Sequence, residues 1–145
     1  MRTSKTGMAI VALALLLVAC SGNVFDLDVG DCFDDGDISV GPDLEEIEEV
    51  PLVDCSEPHD NEVYETVTVD GDEYPGDQAI AEHADEVCLG AFDGFVGLDY
   101  MSSDLDFGWL VPTAESWGTG DRTVACFIYR LDLAKVSGSL EASGI

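Results

Sequence analysis

The sequence predicts an α+β domain: one helix packed on a small antiparallel sheet and tied by two disulfides. Three observations carry that reading. Apolar residues from Ile80 to Phe95 recur every three or four positions, the period of a helix face. Short apolar runs at 47–53, 63–69, 105–111 and 124–131 have strand length and are divided by turn-forming Gly, Pro and Asp. Of the five cysteines, one stands in a signal motif and four remain, the even number an oxidising compartment pairs.

Taken in order, the chain begins with the basic segment Met1–Lys5 and the unbroken apolar run Met8–Val18. A membrane-spanning helix needs roughly 20 apolar residues, so this run has the length of a secretory signal instead. Leu17-Val18-Ala19-Cys20 resembles the bacterial lipobox. That resemblance implies cleavage before Cys20, a diacylglyceryl thioether on its sulfur and an acylated, palmitate-type N-terminus. The alternative is an ordinary signal peptide in which Ala19 meets a small-residue cleavage rule. Two acyl chains hold a protein stably, whereas one is marginal. The expected map is a signal over 1–19, an anchor and linker over 20–28, an extracytoplasmic domain over 29–135 and a disordered tail over 136–145. The location is the outer face of the cytoplasmic membrane.

Removing 1–19 takes away Arg2 and Lys5, leaving three cations (Arg122, Arg130 and Lys135) against 31 acids, a formal charge of −28. Such a surface repels nucleic acid and anionic headgroups, which excludes nucleic-acid binding. It suits a saline habitat or a basic partner.

Glu45–Cys55 reads as a strand made irregular by Pro51. Pro58 then forces a stiff corner, with Cys55 and His59 on either side of it. In Val63–Val69, Val63, Val67 and Val69 fall on one face, with Tyr64, Thr66 and Thr68 opposite. Asp77 is a good N-cap type, and Gln78–Phe92 is the expected helix. Leu105–Val111 and Val124–Leu131 are two further strands, joined by a loop over Pro112–Arg122.

Val29-Gly30-Asp31-Cys32-Phe33, the string from Val53 to Tyr64 with its C-S-x-P-H-x-x-E-V-Y core, and Trp117-x-x-Gly120-Asp121-Arg122-x-Val124-x-Cys126 resemble the septum formation domain. Tyr74-Pro75-Gly76, Cys88 with Phe92, and Pro112 fall between them in the same order. Members of that family are mostly actinobacterial and often carry a transmembrane helix and a Gly/Pro-rich cytoplasmic segment. Here a lipobox stands in their place. The resemblance implies an extracytoplasmic role linked by name to cell division. It brings neither catalytic residues nor a cofactor.

Candidate chemistry is sparse. Ser56, His59 and Glu62 are near one another, but no Gly-x-Ser-x-Gly elbow surrounds the serine, so an envelope hydrolase is the lesser reading. Cys55-x₃-His59 with Cys32 has zinc-ligand spacing, yet an exported chain oxidises its thiols. Asp31, Asp34, Asp35 and Asp37 around Gly36, and Asp70, Asp72 and Asp77 around Gly71 and Gly76, would suit calcium. Neither group has EF-hand spacing. His83 is a solvated side chain on an acidic helix. The expectation is therefore a non-enzymatic, lipid-anchored interaction module without a resident metal. His59, Glu62, Tyr64, Trp117 and Arg122 are its candidate interaction residues, and an envelope or division protein its partner. Arg122, a lone cation among carboxylates, is expected to clamp Glu62 through a bidentate pair. Four cysteines permit three pairings, of which local order favours Cys32–Cys55 with Cys88–Cys126.

Overall fold

A computed structural model describes residues 21–23, 26–35 and 49–145. The signal, Cys20, Asp37, and the start of the Glu45–Cys55 strand lie outside the described residues. Six strands and two α-helices are described, in chain order: β1 (Ser21–Asn23), β2 (Cys32–Phe33), β3 (Glu49–Val53), β4 (Asn61–Thr68), α1 (Asp77–Val96), β5 (Leu105–Leu110), α2 (Ala114–Thr119) and β6 (Thr123–Arg130), with a 3-10 turn at Tyr100–Ser102 before β5. The strands form one antiparallel sheet in the order β1-β3-β2-β4-β6-β5. This is the α+β class, with α1 laid across one face.

Helix α1 buries Ile80, Ala84, Cys88, Phe92 and Val96, a strict i, i+4 stripe. It starts one residue earlier and runs four residues further than its expected bounds. Gly94 does not stop it; Gly97 does, in the left-handed conformation at φ 79°, sending its N–H back to the Asp93 carbonyl. Asp77 is not the N-cap. That place is taken by Gly76, and the Asp77 carboxylate accepts the Tyr74 hydroxyl instead.

The core has two compartments, one on each face of the sheet. Tyr64, Val124, Cys126 and Ile128 pack with the α1 stripe, while Phe33, Val50, Val63 and Ala125 pack with Leu27 on the other side. The expected facing of β4 needs correction here. Val63 lies in the second compartment, whereas Val69 packs against the first, the one that holds Tyr64. The cause is a β-bulge between Val63 and Glu65, where the register against β6 shifts. One inserted residue reverses the facing of everything after it.

Three further expectations are corrected. In the segment expected as a linker, the described residues are tied to the domain: Ser21–Asn23 pairs with Glu49–Pro51 at the sheet edge, and Leu27 is buried. The loop Pro112–Arg122 contains α2, opened by a capping box between Thr113 and Ser116 and closed by Gly120 at φ 108°.

The segment 136–145, expected to be disordered, is an ordered strap. Val136 and His59 exchange both backbone hydrogen bonds at 2.9 Å, and Gly138 N–H donates to the Cys55 carbonyl. Ala142 and Gly144 then donate to Phe95 and Val96 at the end of α1. Leu140 is 4% exposed in the first core compartment. Polar composition suggested disorder, but Val136 and Leu140, packed on the first compartment, and a ladder of backbone bonds fix the segment.

Candidate functional site

The corner at Pro58 is where β2, β4 and the strap converge, and it holds the sequence's most distinctive residues. Both disulfides have the expected pairing, with Cα–Cα distances of 5.3 Å for Cys32–Cys55 and 5.4 Å for Cys88–Cys126. The first joins β2 to the corner. The second joins α1 to β6 through the core, where both its cysteines are fully buried.

His59 is fully buried. Its Nδ1 meets the Glu57 carbonyl at 2.9 Å, and since a carbonyl only accepts, that nitrogen carries the proton. Nε2 is then the lone-pair nitrogen, and it is buried without a hydrogen-bond partner. Glu62 is 1% exposed and forms no ion pair among the described residues. One carboxylate oxygen accepts the Ser139 hydroxyl at 2.6 Å, and the other accepts the Leu140 N–H at 2.6 Å. Glu62 thus fastens the strap.

The expected Arg122–Glu62 clamp is therefore wrong in its partner. Arg122 lies with its guanidinium carbon 3.7 Å from the centre of the Trp117 ring. Its nitrogens donate to the carbonyls of Gly71 (3.2 Å), Trp117 (2.8 Å) and Asp121 (2.6 Å). Trp117 in turn donates its indole N–H to the Asp72 carbonyl and meets Tyr74 edge-on. Arg122 pins α2 to the turn after β4 through carbonyls and an aromatic face. Distance along the fold explains the miss: Glu62 and Arg122 stand at opposite ends of the β4–β6 ladder.

Tyr64 is 3% exposed and donates its hydroxyl to the Cys88 carbonyl at 2.7 Å. Burial and the neighbouring Glu65 carboxylate push that phenol far above its ordinary pKa. Trp117 is likewise buried, and Trp109 is half-buried with its N–H on Asp85. The aromatic residues thus do not make an exposed patch.

The Ser56 hydroxyl donates to Asp54 rather than to His59, and this bond holds the Asp54 carboxyl below its usual range. Two shallow depressions of about 370 and 400 Å³ flank the far end of β4, and neither is lined by Ser56, His59 or Glu62. His83 lines the second.

The calcium groupings are also dispersed. Asp31 caps the Asp28 N–H, Asp34 pairs with Lys135 at 2.6 Å, and Asp35 accepts from Asn61. Asp77 serves Tyr74. Among the described residues, the metal-type donors gathered in one place are Cys32, His59 and Glu62, within 4.8 Å of one another.

One surface feature escaped the sequence reading. Met101 (85% exposed), Leu131, Leu133 and Ile145 are exposed large apolar residues; Met101 lies in the turn 99–104, and hydrogen bonds tie that turn to Leu131 and to Ile145. Leu131 N–H donates to the Asp104 carbonyl, and the Ser103 hydroxyl donates to the Ile145 carbonyl. Leu133 has a positive φ of 56°, unusual for a branched side chain. Asp99, Asp104 and Asp132 surround the group in the sequence. Periodicity finds apolar residues inside elements; these lie in turns that only the fold brings together.

The fold and these contacts define a small, disulfide-tied α+β domain whose distinctive residues are held inside. The septum formation family model matches residues 2–126, and the chain belongs to that family. No curated protein and no solved structure matches it significantly.

Proposed function

We propose that the protein is a non-catalytic, lipid-anchored interaction module on the outer face of the cytoplasmic membrane, acting in septum formation. The observation that carries this reading is the exposed apolar group Met101, Leu131, Leu133 and Ile145 beside acidic residues. Apolar patches with polar rims mark binding surfaces, and charge around the rim sets the choice and rate of partner. The partner is therefore an envelope protein of the division apparatus, with an apolar spot ringed by cations. Family membership supports the division link, and Leu17-Val18-Ala19-Cys20 supports the anchor. The inward commitment of His59 and Glu62 argues against the hydrolase alternative.

Crosslinking in intact cells, followed by purification of the anchored protein, tests the reading. Division or wall-synthesis proteins should be recovered, and recovery should fall with added salt and with Met101→Ser plus Leu133→Ser. Undiminished recovery from that double variant would remove this surface from the proposal. Mass spectrometry of the mature N-terminus should find lipid on Cys20, and Cys20→Ser should leave the chain uncleaved or released. An unmodified terminus elsewhere would end the lipoprotein reading.

A further inference from the structure

We propose that the Pro58 corner has a second closed state, in which reduced Cys32 and Cys55 join His59 and Glu62 to hold one zinc ion. Three observations converge on this. Cys32 Sγ, a ring nitrogen of His59 and a carboxylate oxygen of Glu62 already lie within 4.8 Å of one another. Cys55 Sγ is bonded to Cys32, so reduction leaves a second sulfur at the same place. Two sulfurs, one imidazole and one carboxylate are a four-coordinate zinc set. Tetrahedral bonds of 2.0–2.3 Å would bring these donors to about 3.5 Å apart, a closure of about an ångström.

The imidazole is already in the ligating form. Nδ1–H is fixed on the Glu57 carbonyl, and the Nε2 lone pair is buried and unpartnered. A histidine that gives one nitrogen to a metal nearly always donates the other N–H to a carbonyl or carboxylate. The carboxylate is oriented in the same way, because Ser139 and Leu140 hold its two oxygens. Each oxygen keeps a further lone pair for a metal. Cys32, His59 and Glu62 are each no more than 1% exposed, which makes the set a closed structural site rather than an open catalytic one.

The fold also selects which disulfide opens. Cys32, Cys88 and Cys126 are buried to within 1% of full exclusion, whereas Cys55 is only half-buried at the corner. A dithiol reductant reaches the Cys55 sulfur first. Its thiolate attacks Cys55 Sγ, the S–S bond breaks, and Cys32 leaves as a thiolate beside His59 and Glu62. The reductant's second thiol then resolves the mixed disulfide, releasing Cys55 and an oxidised dithiol. Zinc displaces the remaining thiol protons as it binds. The corner is thereby locked by a covalent bond when oxidised and by a metal when reduced.

The test uses the mature chain carrying Cys88→Ser and Cys126→Ser, so that one cysteine pair remains, with its folding first checked by circular dichroism. After phosphine reduction it is titrated with cobalt(II), then with zinc. The expected result is one equivalent of cobalt, with thiolate charge-transfer and tetrahedral ligand-field bands that zinc abolishes. The oxidised chain should show none. Outer-shell changes cost metal sites about 10–100-fold in affinity, so loss of a ligand in His59→Gln or Glu62→Gln should cost at least about 100-fold. If the double variant does not fold, the same titration on the natural chain, with Cys32→Ser as control, gives the reading. Absence of stoichiometric binding, octahedral spectra without thiolate bands, or equal affinity in His59→Gln would overturn the site.

Discussion

The Glu62 carboxylate and the Leu140 N–H meet at 2.6 Å across 78 positions of sequence, joining the start of the central strand β4 to the strap. Both groups are buried. A buried carboxylate without a cation is stable only when hydrogen bonds replace the water it has lost, and the strap supplies them. In Glu62→Ala, Leu140 N–H and Ser139 OH lose their acceptor. Leu140 N–H is the buried donor of the two, while Ser139 is exposed and can turn to water, so the variant should lose about 1–3 kcal/mol. Deleting 136–145 should cost at least as much, because it also removes Leu140 from the core. Denaturant midpoints check both, and a deletion without effect would mean that the strap does not hold the fold.

Arg122 offers a sharper test, because its charge and its shape can be separated. The guanidinium lies on Trp117 and donates to three carbonyls at once, which a lysine ammonium cannot reproduce. Arg122→Lys should therefore behave nearly as badly as Arg122→Gln, each losing about 1–3 kcal/mol from stacking and unpaired carbonyls. Thermal unfolding of the two variants decides. Full rescue by lysine would assign the effect to charge alone.

These contacts show how far the sequence could be read. The α1 stripe and the β5 and β6 strands announced themselves because their periods are local. The disulfide pairing was legible because Cys88 faces the helix's apolar side and Cys126 lies in the strand it covers. The β4 bulge was not, since its cause is a mismatch with β6, sixty positions away. Helix α2 could have been found, because Thr113, Ser116 and Gly120 mark both of its ends. The strap was hidden by composition: among Gly and Ser, Val136 and Leu140 alone pack inward. The Glu62 site was half legible, in that a carboxylate in an apolar strand demands a partner, but the partner proved to be a backbone N–H, which no residue type advertises.

The disulfides should contribute unequally despite similar expected entropies. They span 23 and 38 residues, for which chain entropy gives about 3–4 kcal/mol each. Cys88 and Cys126 are both fully buried, so their replacement by serine also places hydroxyls in the core, whereas Cys55 borders solvent. Replacing the Cys88–Cys126 pair by serines should therefore destabilise more than replacing Cys32–Cys55. Unreduced peptide mapping should recover Cys32 linked to Cys55, and chemical denaturation should rank the two double variants.

All four tyrosines in the chain are held in the neutral form. For Tyr64 the cause is burial first, and for Tyr74 burial followed by its bond to Asp77, which together push it up to about 12. Tyr100 is raised first by its hydrogen bond to Asp106, at 2.8 Å, and Tyr129 by burial and then the same carboxylate. A phenol whose folded pKa lies above its unfolded value keeps its proton longer in the native state. The stability it gives is complete below the unfolded value, about 10, and is lost as pH rises through the folded one. Native protein should therefore show less tyrosinate absorbance at pH 10 than denatured protein, which is half ionised there. As pH rises further, ionisation and unfolding should rise together, with Tyr64 the last to titrate. Tyr64→Phe should remove that last step while leaving the Tyr74 titration near 12 in place. Four phenols ionising together at about pH 10, with the circular dichroism of the fold unchanged, would contradict the buried hydroxyl of Tyr64 and the carboxylate partners of Tyr74 and Tyr100.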